Sequence, residues 1–367
     1  MLCNADSEGV EGKFYTWKKK EIDEILGKES DLFCAVCDVS ENGNWENTNI
    51  LWLPETMEET AKKININQAD LEKTLFNCRE KLLHCREKRV RPSTDDKILL
   101  GWNALTISAL CKCFAAINNE EYLQLAGKNI GFLEENFIDK LGAWFHTWKN
   151  NDAKYFAFLD DYAYLIEAYI HLQEVTGNAN YLMKAKNLTE FVKNNFEEKE
   201  SGFFYFTSIN QQDIVVRKKE VYDGATPSGN SVMAFNLYYL SFIFDIAMWR
   251  NQSEKMVTSL QKAIVNYPTS FANWASLLHL MIYGMKEIAI TGNHSKEFLS
   301  AINGKFIPDK IIQSSQKQND EFPLLKNRWN KNGITEIYLC QNYICKQPVQ
   351  TVNEFLDLLN QAKNSFK

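Results

Sequence analysis

The sequence has no excess of basic residues: 41 lysines and arginines stand against 47 aspartates and glutamates, a net charge of −6. A phosphate-binding surface needs a basic stripe, so no nucleic-acid partner is expected. The short basic clusters Lys18-Lys19-Lys20 and Arg86 to Arg91 read as solvated faces. An uninterrupted apolar run is also missing. The nearest, residues 232–249, is broken by Asn236, Ser241 and Asp245, which reads as a buried core helix and gives no membrane partner. Asp6, Glu8 and Glu11 fall where a secretory leader would need apolar residues, so no leader is expected. Cys34-x-x-Cys37 is the sole C-x-x-C pair, and nothing completes a zinc tetrad, so no metal and no cofactor are expected. Cys111 with Cys113 and Cys340 with Cys345 lack partner ligands too; free thiols in a reducing cytoplasm are the expectation. Histidine is scarce, five in 367 residues, and His84, His146 and His279 read as isolated residues.

What is present is apolar mass in a repeating pattern. Hydrophobic residues make up 45% of the chain and aromatics 13%, enough for a large core. Short helices are expected over 18–26 and 68–85, the second with Leu71, Leu75, Cys78 and Leu82 on one stripe, and irregular or extended chain over 31–53. From Trp102 a two-helix unit repeats. Helix 102–117 is apolar on most sides, and helix 121–137 is one-sided. A glycine turn with aromatics, Gly142 to Thr147, follows. Helices 160–175 and 179–196 repeat the pair, with the turn Gly202 to Thr207 after them. Phe137 and Phe196 are 59 residues apart, Thr147 and Thr207 60 apart. A third pair is expected over 229–249 and 253–265, and a further helix over 268–284.

A period near 60 with two helices per unit is a helical-hairpin array. The physical solution has two layers, with the all-round apolar helices inside and the one-sided helices around them. After Gly284 the pattern changes to strands at 287–291, 310–313 and 336–340 and a terminal helix at 352–362. The expected fold is therefore mainly α, an (α/α) helical-hairpin toroid over 1–285, with a small α/β C-terminal subdomain over 286–367.

In such a ring the N-termini of the inner helices open at one end. Asp95 and Asp96, Asp160 and Asp161, and Asp223 all fall at or before such starts. Gathered carboxylates repel, their pKa values rise, and they suit acid/base work on a sugar. Helix capping explains each acid singly, and both readings stand. The candidate catalytic residues are Asp96, Asp161 and Asp223. The candidate ligand-binding residues are Asp160, Trp102, Asn103, Tyr162, Ser228 and Asn230, where flat rings suit a pyranose face or plain core packing, and amides suit hydroxyls or loop bracing. Arg217 and Lys218 can pair with Asp223 or bind an anion.

The motifs Asp6-Ser-Glu-Gly, Arg91-Pro-Ser-Thr-Asp-Asp-Lys with Trp102-Asn, Leu159-Asp-Asp-Tyr-Ala and Asp223-Gly-Ala-Thr-Pro-Ser-Gly-Asn-Ser occur in this order across the chain. Together they resemble the thioredoxin-domain-containing proteins related to spermatogenesis-associated protein 20. The resemblance implies a helical toroid similar to six-hairpin glycosidases and N-acylglucosamine 2-epimerases. It further implies that a thioredoxin-like domain and the first hairpins precede this pattern in family members. Two functions follow: a sugar hydrolase or epimerase/isomerase acting on a small sugar-like ligand, or a non-catalytic ligand- or protein-binding module. Set beside that family pattern the toroid is expected to be incomplete here, and an incomplete ring exposes apolar flanks, so self-association is expected.

Overall fold

The computed structural model describes the chain except Met1, Asn4, Leu141, Gln212, Asp213, Tyr343 and residues 365–367. By internal packing it divides into two compact units, Met1–Lys97 and Ile98–Lys367.

The first unit holds β1 (Leu2–Cys3), β2 (Asp6–Ser7), β3 (Val10–Glu11), α1 (Lys19–Leu26), α2 (Ser30–Val36), α3 (Met57–Lys63), α4 (Gln68–Arg86) and β4 (Thr94–Asp95). Its core joins Trp17, Ile22, Leu26 and Phe33 to the α4 stripe Leu71, Leu75, Cys78 and Leu82. The extended chain expected around residue 34 is corrected to a helix: Ser30, Phe33, Cys34 and Cys37 are buried at helical spacing. Cys34 and Cys37 are free core thiols, and burial pushes the Cys37 thiol up to about 11.

The second unit opens with β5 (Ile98–Leu99), α5 (Leu100–Ile117), α6 (Glu120–Asn136), β6 (Phe145–Lys149) and β7 (Asp152–Phe156). The hairpins continue through α7 (Leu159–Thr176), α8 (Asn180–Phe196), α9 (Gly229–Phe244), α10 (Ala247–Asn266) and α11 (Ala272–Tyr283). Helices α5, α7, α9 and α11 pack side by side in that order, and α6, α8 and α10 lie outside them, each against its hairpin partner. The result is an arc of (α/α) hairpins in two layers. Nearly every residue of α9 from Gly229 to Ile243 is buried, whereas α10 buries one stripe. Helices α5 and α11 end the arc and are buried on one side only.

Successive hairpins leave in the same way: Phe145 N donates to Phe137 O at 2.9 Å, and Tyr205 N donates to Phe196 O at 2.8 Å. Phe137 and Phe196 are both fully buried. Two expectations need correction here. The first glycine turn opens into a β-hairpin, β6–β7, because Asn150 and Asn151 both adopt left-handed backbone (φ 53° and 58°). The expected helix 229–249 breaks at Asp245, whose φ of 52° ends α9.

The C-terminal part contains β8 (Lys286–Thr291), α12 (Ser295–Asn303), β9 (Lys310–Ser315), β10 (Glu336–Gln341), β11 (Ile344–Cys345) and α13 (Val352–Asn364). Its sheet runs β11-β10-β8-β9, with β8 and β9 parallel around the α12 crossover. Ile288, Ile290, Ile312, Ile337 and Phe355 form its own core. The expected boundary at residue 285 marks this change of architecture but lies inside the second compact unit. Gln173 Nε2 of α7 donates to Ile312 O at 3.1 Å, and Asn303 Nδ2 donates to Glu174 O at 2.7 Å. The expectation that the C-terminal thiols are free is also corrected. Pairing of β10 with β11 sets Cys340 opposite Cys345, and the two form a disulfide. One helix among the described residues, α5, is long and apolar enough to cross a membrane by length and composition.

Candidate functional site

At one end of the arc the first turns of the inner helices are tied together by carboxylates. Asp161, 2% exposed, accepts from Gly101 N of α5 at 2.9 Å, Phe158 N at 2.9 Å and His146 Nδ1 at 2.8 Å. Its neighbour Asp160 accepts from Gly229 N of α9 at 2.8 Å. One dipeptide at the start of α7 thus satisfies orphan donors on the helices to either side. Asp223 completes the chain of braces. Its Oδ1 accepts from Ser228 N at 2.9 Å and Ser231 Oγ at 2.8 Å, and its Oδ2 accepts from Asn273 N of α11 at 3.0 Å. For Asp161 and Asp223 these bonds describe the capping alternative. Burial pushes the Asp160 carboxyl up to about 7; the bond from Gly229 opposes this, and Asp161 and Glu220 add to it.

The other sequence-predicted residues divide between scaffold and surface. Ser228 caps α9, its Oγ accepting from Ser231 N at 3.2 Å. Asn230 is fully buried and braces loops, donating to Phe204 O and Glu220 O and accepting from Phe204 N. Tyr162, 3% exposed, packs against Phe191 and Phe196, as the core-packing alternative has it. Trp102 is 53% exposed on α5, and Asn103 donates back to Leu99 O at 2.9 Å. Arg217 lies over the Tyr205 ring and donates to Thr207 O and Asn195 O, rather than pairing with Asp223. Asp96 is exposed and belongs to the first unit, beside Asp95, whose carboxylate accepts from Lys97 N.

None of these residues lines the cavity that the inner helices enclose. That cavity, of about 610 Å³, is walled by α5, α7 and α9 and by the 303–310 connector between α12 and β9. Three titratable groups of α7 face it, Glu167, His171 and Glu174. Spacings of four and three residues put them on one helix face. His171 Nδ1 bonds Glu174 Oε2 at 2.8 Å, and Glu167 Oε1 lies 3.6 Å from Nε2. Tyr239 of α9 donates to Glu174 Oε1 at 2.9 Å. His171 Nε2 is buried with no hydrogen-bond partner of its own. Burial pulls the His171 pKa down, but the two carboxylates outweigh it and hold the imidazole above its ordinary value. Burial pushes Glu167 and Glu174 up, and the imidazole outweighs it and holds both below the usual carboxylate range. Lys112, Asn236, Asn273, Asn303, Lys305 and Lys310 add to the polar lining.

Sequence reasoning missed this cluster because the acidic loops drew attention to the helix starts. The available signal was Glu167-x-x-x-His171-x-x-Glu174 on an otherwise apolar inner helix, where three ionisable groups must face either one another or a void.

No protein-family model matches the chain. It is 28% identical over 389 residues to an uncharacterised protein of Caenorhabditis elegans, covering 96% of this chain and 52% of that protein. To spermatogenesis-associated protein 20 of Mus musculus it is 23% identical over 390 residues, covering 96% and 49% respectively. The chain is similar along nearly its whole length to spermatogenesis-associated protein 20 and its relatives. It spans about half the length of the curated relatives it matches. Among solved structures it is similar to an α-mannanase from Bacteroides thetaiotaomicron (TM-score 0.39, 16% identity, covering 55% of this chain and 58% of that one). A cellobiose 2-epimerase from Spirochaeta thermophila gives a TM-score of 0.36 at 13% identity, covering 47% and 45%. A D-mannose isomerase gives 0.37 at 14%, covering 45% and 40%.

Proposed function

We propose that this chain is a carbohydrate-active (α/α)-toroid protein whose cavity takes a small sugar-like ligand. Glu167, His171 and Glu174 move protons on that ligand, in hydrolase or epimerase/isomerase chemistry. The observation that carries this reading is a half-buried Glu–His–Glu row facing a cavity of about 610 Å³. Small-molecule sites run from roughly 300 to 1,000 Å³ and combine an apolar lining with a few convergent polar groups. Cys111, Ile170, Val175, Val232 and Phe235 supply the apolar part.

The imidazole is the proton carrier. Glu174 fixes its Nδ1, Tyr239 orients Glu174, and Nε2 is left to exchange a proton with a ligand hydroxyl or carbon. Glu167 stays charged beside Nε2 and stabilises the protonated ring. Asp161 and Asp223 hold the helices that carry these groups. Asp160, with a pKa near neutrality, is the acid of the helix starts that retains proton-transfer capacity.

The test is a panel of neutral and acidic mono- and disaccharides, read by thermal shift for binding and by proton NMR for turnover. His171→Gln should lower turnover by about 10²–10⁴-fold, the usual worth of a positioned acid/base group, with unchanged circular dichroism. Turnover that survives the substitution, or a panel with no binder at all, would sink the reading.

A second reading is a ligand-binding module without turnover. It is favoured by the way the His171 imidazole is already held between the two carboxylates of its own row. Binding by the wild type with no product over long incubation would select it. In longer relatives such a module would accompany the thioredoxin-like domain that the family resemblance implies. The free thiols Cys34, Cys37, Cys78, Cys85, Cys111 and Cys113 support a cytoplasmic location, and the Cys340–Cys345 bond weighs against it.

A further inference from the structure

We infer that the ligand of this cavity carries an anionic group, a carboxylate or a phosphate, received by Lys112, Lys305 and Lys310. The inference rests on the reading of the cavity as a sugar site and names the class of sugar.

The three lysines come from separate places in the chain. Lys112 lies on α5, Lys305 follows α12, and Lys310 begins β9. The fold brings them to one cavity wall and rim. None of the three forms an ion pair among the described residues. Other lysines of the same unit do: Lys184 with Glu134, Lys193 with Glu197, Lys219 with Glu198, and Lys286 with Asp309, the residue next to Lys310. Those lysines have a carboxylate within ion-pair distance, and among the described residues the three at the cavity do not.

The charge count of the lining points the same way. Glu167 and Glu174 are its carboxylates, and His171 already sits between them. That row is nearly self-neutralising, so the lysine charge is left over. Lys112 acts electrostatically on Glu167 and Lys310 on Glu174, so the positive field reaches the proton-transfer groups. Lys112 and Lys305 are exposed and Lys310 is half-buried, so they stand at the mouth of a concave site that focuses their field on an entering anion. The connector that carries Lys305 also presents Phe306, 91% exposed, at the same rim. A flat ring beside ammonium groups suits a ligand with an apolar sugar face and a charged substituent. Asn303 pins this connector to α7 through Glu174 O, the backbone of the same residue that holds His171.

The experiment compares glucose, glucuronate, glucose 6-phosphate and inorganic phosphate by calorimetric titration against the full chain, at low and at high salt. At least one anionic sugar should bind about tenfold or more tightly than glucose, and the difference should shrink as salt screens the lysines. The combined variant Lys112→Gln, Lys305→Gln, Lys310→Gln should lose that difference. Lys305→Gln alone, at an exposed position, repeats the test with no risk to folding. Preference for glucuronate assigns a carboxylate, and preference for glucose 6-phosphate assigns a phosphate. Equal binding of glucose and both anionic sugars overturns the inference and leaves the sugar reading standing. Inorganic phosphate matching the anionic sugars supports the anion site and overturns the sugar reading. No binding by any probe overturns both.

Discussion

Asp160 sits on the first turn of α7, where the helix dipole and the Gly229 amide both favour a charged carboxylate, yet burial pushes its pKa up to about 7. In the unfolded chain the same group titrates near an ordinary aspartate value. Between these two pH values the folded protein holds the proton that the unfolded chain has lost, so stability falls as pH rises from about 4 to about 7 and then levels. Asp160→Asn keeps the acceptor for Gly229 and removes the titration. It should flatten this slope and raise the unfolding free energy at pH 8 by about 2 kcal/mol, read from urea melts across pH. A variant with the wild-type slope would place the titration elsewhere. At this scale the sequence was a partial guide. Asp161 and Asp223 stood out because acids at helix starts are visible in one dimension. Which amide each accepts from is a matter of neighbouring helices, and Gly101 and Gly229 lie 60 and 69 residues from the aspartates they bind.

The inner helices meet through those aspartates at closest approach. A β-carbon on Gly229 would collide with Asp160 Oδ1 and come within 3.0 Å of Asp160 N and of Leu159 Cγ, and one on Gly101 would stand 2.9 Å from Asp161 Oδ1. Gly229→Ala should therefore cost about 2–4 kcal/mol, because either the bond to Asp160 or the α7–α9 contact must give. Glycine elsewhere offers the control. Gly131 on α6 has open space, and Gly131→Ala should be neutral or stabilising by about 0.5–1 kcal/mol. Thermal melts that rank the two variants equally would refute the close approach. The helices themselves were legible, since one-sided stripes such as Ala126, Ile130 and Leu133 on α6 are periodic whatever surrounds them. The β6–β7 hairpin escaped because its signal is two asparagines in left-handed backbone, weaker than the glycine turn beside it. The break at Asp245 escaped because apolar residues continue through it to Trp249.

For the second unit as a whole, the arc leaves an apolar flank at its C-terminal end. Ile282 and Tyr283 of α11 are 67% and 59% exposed, and Val265 and Tyr267 at the close of α10 are 68% and 63% exposed. Such a flank favours association. Sedimentation velocity should show concentration-dependent dimerisation that Ile282→Asp with Tyr283→Asp reverses, and a monomer at every concentration would remove the expectation. The identical exits of successive hairpins carry a separate lesson. Phe137 and Phe196 hand the chain on through the same backbone bond, so each hairpin finishes where the next can begin without adjustment by its predecessor. A structure assembled this way lengthens like masonry, course upon course. Chemistry seated among three neighbouring courses is then untouched by how many others are laid beyond them.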